Sequence, residues 1–278
     1  MLKIITDDEI LRGYFPNTLV TVDDEPSFFA RISTYLAIAE LWVTKHLTGK
    51  RILEEIAIGV HNSMFPMVAR IIVNDALIGA IPTLDLVLTP NGFGVVSNNT
   101  VAPASKDRVE RLIASLRLER DFCIRELIEM LRFCEHWHDS EQCSWLASSL
   151  IQSLDDIPEH SKDVDLWKEF TNLRNDVNRY EIELARCWIG FPLLNTLKKE
   201  RATGALVDPL RLSMILSLRN ILVRASKYNE LDHYIMGSLI DSIRKNPDTF
   251  PEWHNDVIAS FFKPSVFENH KNSPGYCF

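Results

Sequence analysis

The chain has 278 residues, of which 46% are hydrophobic, and a formal net charge of −8. This length is enough to bury one large core or two smaller ones. Neither half of the sequence is basic, which argues against a protein that coats DNA or RNA, because such proteins neutralise phosphates with lysine and arginine.

Three further features predict a cytoplasmic protein without a membrane segment. Acidic residues at 7–9 directly follow the short apolar start, which is not the pattern of a signal peptide. The apolar run Phe65–Ile81 contains Arg70 and Asp75, which indicates a buried helix rather than a membrane span. The cysteines are odd in number and irregularly spaced, which predicts reduced thiols. They are Cys123, Cys134, Cys143, Cys187 and Cys277.

Most of the chain has the periodicity of helices with an apolar face. In the first half, apolar residues recur at helical spacing over Phe28–Leu47, which Gly49 ends, and over Met64–Ala80. The dipeptide Ile81-Pro82 predicts the end of the second helix, because the residue before a proline disfavours the helical conformation.

The one long stretch with strand periodicity is residues 83–97. Leu84, Leu86 and Leu88 alternate with Thr83, Asp85 and Thr89, which is the period of a half-buried strand. Pro90-Asn91-Gly92 favours a turn, since proline fixes φ and Asn-Gly tolerates positive φ. The residues after the turn return as a second strand, so the sequence predicts a β-hairpin over residues 83–97.

After the hairpin the helical pattern resumes. A long helix is predicted over residues 105–137, with Ser105 as its N-cap. A second long helical pattern covers residues 166–199 and is expected to kink at Gly190-Phe191-Pro192. Polar residues at 155–163 separate the two patterns and indicate a linker.

The predicted fold class is therefore mainly α, a multi-helix bundle in two helical subdomains with one β-hairpin insertion. The N-terminal domain is residues 1–155 and contains the hairpin, the C-terminal domain is residues 163–262, and residues 263–278 form an extended tail. Each half also has a long apolar helix with a central tryptophan, Trp42 or Trp188, followed by a break and a second apolar helix. This is a weak pattern of internal duplication.

Four residues that often bind metals lie close together near the end of the first long helix. They are Cys134, His136, His138 and Cys143. On a helix, Cys134 and His138 share a face whereas His136 points elsewhere, and the spacing matches no common zinc pattern. A histidine near the negative end of a helix is the simpler interpretation. The sequence therefore predicts no bound metal and no other cofactor.

His138-Asp139 is also a His-Asp dipeptide of the kind that helical metal-dependent phosphohydrolases use. That chemistry needs a further histidine and a further aspartate to complete the metal shell. His46 or His61, together with Asp241, are available, but nothing in their sequence contexts selects them. A metal-dependent hydrolase therefore stays an alternative. No phosphate-binding loop, nucleophile elbow or Cys-x-x-Cys motif is present, and the sequence predicts a protein that is not an enzyme.

Two segments carry a family resemblance. Leu88–Leu112, with the sequence LTPNGFGVVSNNTVAPASKDRVERL, resembles a family of uncharacterised proteins encoded in Bacteroidales phages and prophages. The ending Phe262–Phe278 is similar to the aromatic-terminated tails of the same group, although His270 stands where a lysine is usual. Members of this family lie among virion structural genes and look like helical head-tail connector or head-completion components that work as rings.

The resemblance implies a non-enzymatic virion structural protein at the head-tail connector, which assembles with itself and with other virion proteins. It implies a location in the virion, and in the bacterial cytoplasm before assembly, with no specific nucleic acid and no membrane as partners. The expected subunit contacts lie in the hairpin and the tail, at Asn91, Gly92, Phe93, Gly94, Phe267, Tyr276 and Phe278. A cytoplasmic helical adaptor or regulatory protein is a further alternative, which the sequence does not separate from this function.

Overall fold

The computed structural model describes residues 3–14, 26–84, 86–89, 92–95, 105–158 and 165–263. The described part is mainly α-helical, which confirms the predicted class. The first half contains α1 (Asp8–Tyr14), α2 (Phe28–Val43), α3 (Gly49–Ala57), α4 (Phe65–Leu84), α5 (Lys106–Arg132), α6 (Glu135–His138) and α7 (Glu141–Leu146). The second half contains α8 (Leu166–Leu184), α9 (Phe191–Ala202), α10 (Pro209–Tyr228), α11 (His233–Lys245), α12 (Pro251–His254) and α13 (Ile258–Phe261). Two π-helical segments, Thr44–Thr48 and Ala185–Ile189, continue α2 and α8.

Buried apolar side chains from both halves form one continuous core. In the first half, α4 packs against both α2 and α5. This helix is long and apolar enough to cross a membrane by composition, yet its Ile72 and Leu77 side chains are almost fully buried in the core. Burial of a side chain of this size stabilises a fold by about 1.5–3 kcal/mol.

The predicted linker at residues 155–163 starts in a well-packed place. Asp156 is buried and accepts hydrogen bonds from the backbone amides of Gln152 and Ser153 at 2.8 and 3.1 Å. Its carboxylate also pairs with Arg201 and Arg219 at 3.1 and 2.7 Å. Residues 159–164 lie outside the described part of the chain, and the division into two domains stays a prediction.

Helix α4 continues past the point at which the sequence predicts its end. Pro82 lies inside the helix, and Thr83 and Leu84 belong to its last turn rather than to a strand. A proline inside a helix loses the hydrogen bond of its own nitrogen and crowds the carbonyl four residues before it, but only Thr83 and Leu84 follow Pro82 in this helix. The Thr83 hydroxyl donates to the carbonyl of Ala80 at 2.8 Å and lies 2.9 Å from the hydroxyl of Tyr35. These contacts hold the last turn in the helical conformation.

Two short strands, β1 (Leu86–Thr89) and β2 (Gly92–Val95), follow α4. Their backbones pair antiparallel, with Leu86 opposite Val95 and Thr89 opposite Gly92. Residues 90 and 91, where the sequence predicts the turn, and residues 96–104 lie outside the described residues.

The order of elements in residues 3–148, named the first unit, recurs in residues 149–263, named the second unit. Each unit contains a long helix that ends in a π-helical segment and a glycine. After the glycine come a short helix, two further helices and two very short helices. The matching pairs are α2 with α8, α3 with α9, α4 with α10, α5 with α11, α6 with α12 and α7 with α13. Three sets of contacts recur at matching positions.

The first recurring feature is the glycine after each π-helical segment. Gly49 has φ 73° and ψ 166°, and Gly190 has φ 77° and ψ 150°. Side chains of L residues rarely permit positive φ. A Cβ at Gly49 would lie 2.8 Å from Gln142 Oε1, and one at Gly190 would lie 2.7 Å from Asp256 Oδ2. The kink predicted at Gly190-Phe191-Pro192 is therefore a complete break between two helices.

The second recurring feature is a buried glutamate nine residues before each glycine. The Glu40 carboxylate accepts a hydrogen bond from the backbone amide of Ile4 at 3.0 Å. The Glu181 carboxylate accepts hydrogen bonds from the amide of Leu150 and the hydroxyl of Ser149, both at 2.7 Å. Hydrogen bonds to a carboxylate are stronger than neutral ones. Each glutamate therefore ties the first residues of its unit to its long helix.

The third recurring feature is an indole hydrogen bond. Trp137 donates to the carbonyl of Leu47 at 2.8 Å, and Trp253 donates to the carbonyl of Trp188 at 3.0 Å. Leu47 and Trp188 each lie two residues before the glycine of their unit. The two tryptophans that the sequence analysis paired, Trp42 and Trp188, are not equivalent, because Trp42 lies seven residues before its glycine. The two units thus share an order of elements and these contacts, in a register that differs from the one the tryptophans indicated.

Candidate functional site

The two units meet at a group of aromatic side chains. Trp145 in α7 stacks on Trp167 at the start of α8, with ring centroids 5.8 Å apart, and meets Phe170 edge-on at 6.0 Å. Trp42 in α2 also meets Trp167 edge-on, at 5.2 Å. Aromatic pairs add about 0.5–1.5 kcal/mol each beyond the area that they bury. We name Trp42, Trp145, Trp167 and Phe170 the aromatic junction.

Arg174 of α8 contacts the C-terminal end of the first unit. Its guanidinium lies 4.1 Å from the centroid of the Trp145 ring. It donates to the carbonyls of Trp145 and Ile151 and to the hydroxyl of Ser148. Burial lowers the pKa of Arg174 to about 10, so the group stays cationic at neutral pH. Arg174 therefore satisfies backbone carbonyls at and beyond the C-terminal end of α7, which have no partner within the helix.

The second unit also ends in a short helix that carries an aromatic residue, but no third unit follows it within the described residues. Phe261 lies eight residues after Trp253, as Trp145 lies eight residues after Trp137. Trp145 keeps 37% of its surface exposed, whereas Phe261 and the nearby Val257 each keep 74%. At the end of the first unit, Trp145 therefore packs on the second unit. At the end of the second unit, the matching Phe261 is exposed to solvent.

The long helices of the two units also differ on matching faces. The α8 face beside the aromatic junction is polar and lines a cleft with Thr171, Asn175 and Asn178. The matching face of α2 is mostly apolar and exposed. Its residues, which we name the α2 stripe, are Ala30, Thr34, Ala37, Ile38 and Leu41. Ile38 and Leu41 are 59% and 67% exposed, and contiguous exposed apolar surface is a feature of interaction sites.

The subunit-contact residues predicted from the sequence are described only in part. Gly92, Phe93 and Gly94 lie in β2, where their backbone pairs with β1. Asn91, Phe267, Tyr276 and Phe278 lie outside the described residues. Their role in subunit contact stays a prediction.

The aromatic junction and the exposed Phe261 were not predicted from the sequence. The available signal was a repeated Trp-His pair, at Trp137-His138 and Trp253-His254, with an aromatic residue eight positions after each tryptophan. The spacing from glycine to tryptophan is longer in the first unit, which contains residues 85–104 between α4 and α5. This difference hides the repeat from a comparison at fixed spacing.

His138, the residue considered for metal-dependent catalysis, makes a contact that the second unit repeats. His138 donates from Nε2 to the carbonyl of Arg132, the last residue of α5, at 2.7 Å. The matching His254 donates from Nε2 to the carbonyl of Ile243, in the last turn of α11, at 3.1 Å. The shared contact supports the helix-end interpretation of His138.

His46 and Asp241, considered for a hydrolase, and Cys143, considered for metal binding, take part in separate contacts. His46 packs against Trp42 with ring centroids 5.3 Å apart, and burial lowers the pKa of its imidazole. Asp241 pairs with Arg244 on α11 at 2.9 Å. Cys143 is buried, and burial raises the pKa of its thiol. The contacts described for these side chains are packing and ion-pair contacts.

Of the four residues that the sequence analysis considered as metal ligands, Cys134 and His136 lie beside two further residues that can bind metals. Cys134 contacts His61, and His136 contacts Glu55. His136 Nδ1 lies 3.1 Å from each carboxylate oxygen of Glu55. Cys134 Sγ lies 3.7 Å from His61 Nε2. The hydrogen bond from His136 is the main cause that lowers the pKa of the Glu55 carboxyl to about 2, so this group is ionised at neutral pH.

Comparison with known proteins matches a family model to the first unit. Residues 27–146 match a model described as a family of unknown function, DUF6712. No curated protein and no solved structure matches the chain. The matched residues run from the start of α2, at Phe28, to the end of α7, at Leu146. The family model therefore covers α2 to α7 of the first unit, and α8 to α13, which follow the same order of elements, lie outside the match.

Proposed function

We propose that the protein is a non-enzymatic structural protein of a phage or prophage particle, which acts in virion assembly at the head-tail connector as a homo-oligomer. The observation that supports the oligomer is the difference between Trp145, which packs on the second unit, and Phe261, which is 74% exposed at the matching position. The placement in a phage particle rests on the resemblance of Leu88–Leu112 and Phe262–Phe278 to phage proteins.

Head-to-tail association of two copies would resemble the contact between the two units. Phe261 and Val257 of one copy would pack on the α2 stripe of the next copy, beside Phe29 and Ser33, which match the Trp145 partners Phe170 and Arg174 of α8. Both surfaces are exposed and mostly apolar, and burying apolar area contributes roughly 25 cal/mol per Å². Head-to-tail contacts generate rings when the rotation between copies closes, which is the form of a connector.

The β-hairpin and the tail complete this proposal. In the first unit the strands follow α4, whereas in the second unit α10 and α11 are separated only by residues 229–232. A strand of one subunit can add to the sheet edge of another, so we place strands β1 and β2 and the tail over residues 263–278 at subunit contacts.

A truncation tests the proposed role of the tail. Removal of residues 264–278 should reduce oligomerisation and leave the folding of the single subunit intact. Native mass spectrometry and circular dichroism measure the two effects separately. Loss of cooperative unfolding in the truncated chain would mean that the tail belongs to the core of the subunit.

Paired variants test the head-to-tail contact. Phe261→Glu and Ala37→Glu each place a charge in one of the two surfaces, so each variant alone should be monomeric by native mass spectrometry and light scattering. A mixture of the two variants keeps one wild-type Phe261 and one wild-type α2 stripe, and should form a dimer and nothing larger. Val207→Glu is the matched control, because Val207 is 81% exposed and lies outside both surfaces.

Wild-type protein should form rings in negative-stain microscopy. A chain that is monomeric at high concentration, and that does not join purified capsid or tail components, would contradict the assembly role and favour the cytoplasmic adaptor. Oligomers of both single variants that equal those of the wild type would place the subunit contact on another surface.

A further inference from the structure

We propose that Glu55, His61, Cys134 and His136 form a binding site for a divalent transition-metal ion, with Zn²⁺ as the best match. This site goes beyond the assembly function and does not depend on it. The ligand atoms of Glu55, His61 and His136 all lie within 4.8 Å of one another. Cys134 Sγ lies 3.7 Å from His61 Nε2, outside that group of three, and would become the fourth ligand by turning towards the bound ion.

Separate segments of the first unit bring these side chains together. Glu55 is in the last turn of α3, and His61 follows in the connection from α3 to α4. Cys134 lies between α5 and α6, and His136 is in α6. The adjacent Trp137 donates its indole hydrogen bond to the carbonyl of Leu47, which holds α6 against the first π-helical segment. The position of the four ligands is thus set by contacts that the unit already makes.

The distances suit tetrahedral coordination. His61 Nε2 lies 3.1 Å from Glu55 Oε2, and His136 Nδ1 lies 3.1 Å from Glu55 Oε1. Zinc binds nitrogen and oxygen at about 2.0–2.2 Å and sulfur at about 2.3 Å, so neighbouring ligand atoms of a tetrahedral site lie roughly 3.2–3.8 Å apart. Small outward movements of these side chains therefore suffice to admit the ion.

The donor set selects the class of metal. One thiol, two imidazoles and one carboxylate suit Zn²⁺ and similar transition metals, whereas Ca²⁺ and Mg²⁺ prefer oxygen ligands. Cys134 is buried, whereas His136 has 52% of its side chain exposed and leaves a path from solvent to the ligands. Glu55 supplies a negative charge at the centre of the group.

One cation competes for the same carboxylate. Arg51 Nε lies 3.0 Å from Glu55 Oε1, with 66% of the Arg51 side chain exposed. Because this side chain is mostly in solvent, it can move away when an ion binds. Binding would replace the hydrogen bonds between Glu55 and the histidines by metal–ligand bonds and would release the thiol proton of Cys134.

The second unit indicates that the fold does not require this donor set. Phe250 stands at the position of Cys134, and Glu252 stands at the position of His136. Glu252 accepts two hydrogen bonds from Arg211 at 2.8 Å. The same place in the unit therefore holds an ion pair in the second copy and four metal-type ligands in the first.

Isothermal titration of the full reduced chain with ZnCl₂, after removal of metal by a chelator, tests the site. One equivalent of Zn²⁺ should bind to the wild type. The double variant His61→Gln/His136→Gln should bind at least about tenfold more weakly, because even the partners of metal ligands change affinity by that much. The matched controls are Glu54→Gln, next to Glu55 on α3, and His233→Gln, an exposed histidine of the second unit. Both controls should bind Zn²⁺ as the wild type does.

Titration with CoCl₂ gives a second readout. A tetrahedral site with a thiolate ligand produces strong visible absorption and a sulfur-to-cobalt charge-transfer band, which Cys134→Ser should remove. Circular dichroism establishes that each variant is folded. Less than one equivalent of bound Zn²⁺, equal affinity of the wild type and the double variant, or no charge-transfer band in the wild type would overturn the four-ligand site.

Discussion

Trp145 and Phe261 occupy matching positions in the two units. Each lies eight residues after a tryptophan, Trp137 or Trp253, whose indole donates a hydrogen bond to a backbone carbonyl of the π-helical segment in its unit. Trp145 stacks on Trp167 of the second unit and is 37% exposed, whereas Phe261 is 74% exposed. The end of the first unit is therefore packed against the second unit, whereas Phe261 at the end of the second unit is exposed. This difference supports the proposed head-to-tail assembly.

Loss of the indole donor should destabilise both units. Trp137→Phe leaves the carbonyl of Leu47 without its donor, and Trp253→Phe does the same to the carbonyl of Trp188. A buried polar group that loses its partner costs about 1–3 kcal/mol, so each variant should lower the free energy of unfolding by about that amount. Urea unfolding followed by circular dichroism measures the change. An unchanged unfolding midpoint in either variant would contradict the role of that hydrogen bond.

Alanine should not be tolerated at the two glycines with positive φ. Gly49→Ala brings a Cβ to 2.8 Å from Gln142, and Gly190→Ala brings one to 2.7 Å from Asp256. Each substitution should lower the free energy of unfolding by more than about 1 kcal/mol. Gly237→Ala is the matched control, because a Cβ there meets nothing within 4 Å, and it should be neutral or stabilising. Thermal unfolding that ranks Gly190→Ala with Gly237→Ala would contradict the prediction.

Arg120 forms a buried ion pair whose loss should be costly. Its guanidinium lies 3.0 Å from Asp121 and 2.9 Å from Asp75, and both Arg120 and Asp121 are buried. Arg120→Leu leaves a buried carboxylate without its cation, which should cost about 3–5 kcal/mol. Arg70→Leu breaks a more exposed pair with Glu119 and should cost less than about 1 kcal/mol. Urea unfolding of both variants measures the difference, and equal costs would refute it.

Glu55 should make stability sensitive to acid. The hydrogen bond from His136 lowers the pKa of the Glu55 carboxyl from 4.5 to about 2 in the folded protein. A carboxyl whose pKa is lower in the folded state stabilises the fold above its unfolded pKa, and this contribution is lost as pH falls. The advantage of the wild type over Glu55→Gln in urea unfolding should therefore shrink as pH falls from about 4.5 towards about 2. A constant difference across this window would show that Glu55 titrates alike in both states.

The sequence predicted much of the helical structure. Apolar residues at helical spacing over Phe28–Leu47 and Met64–Ala80 correspond to α2 with its π-helical segment and to α4. Gly49 marks the end of the first of these helices, as predicted. Local rules failed where packing opposed them. Pro82 was expected to end α4, but the helix extends to Leu84 and its last turn contacts α2.

The candidate sites required the tertiary structure. Cys134 and His61 are 73 positions apart in the chain, and no local spacing associates them. The register of the two units was likewise hidden, because Trp137 and Trp253 are recognised as equivalent only through the carbonyls to which they donate.

The sequence by itself determined the fold class and the approximate extent of several helices, because these depend on the spacing of near neighbours and on the backbone preferences of single residues. Only the tertiary structure decided the register in which the two units match, the meeting of Glu55, His61 and His136 beside Cys134, and the exposure of Phe261. Those outcomes depend on contacts between segments far apart in the chain, which the spacing of near neighbours does not encode.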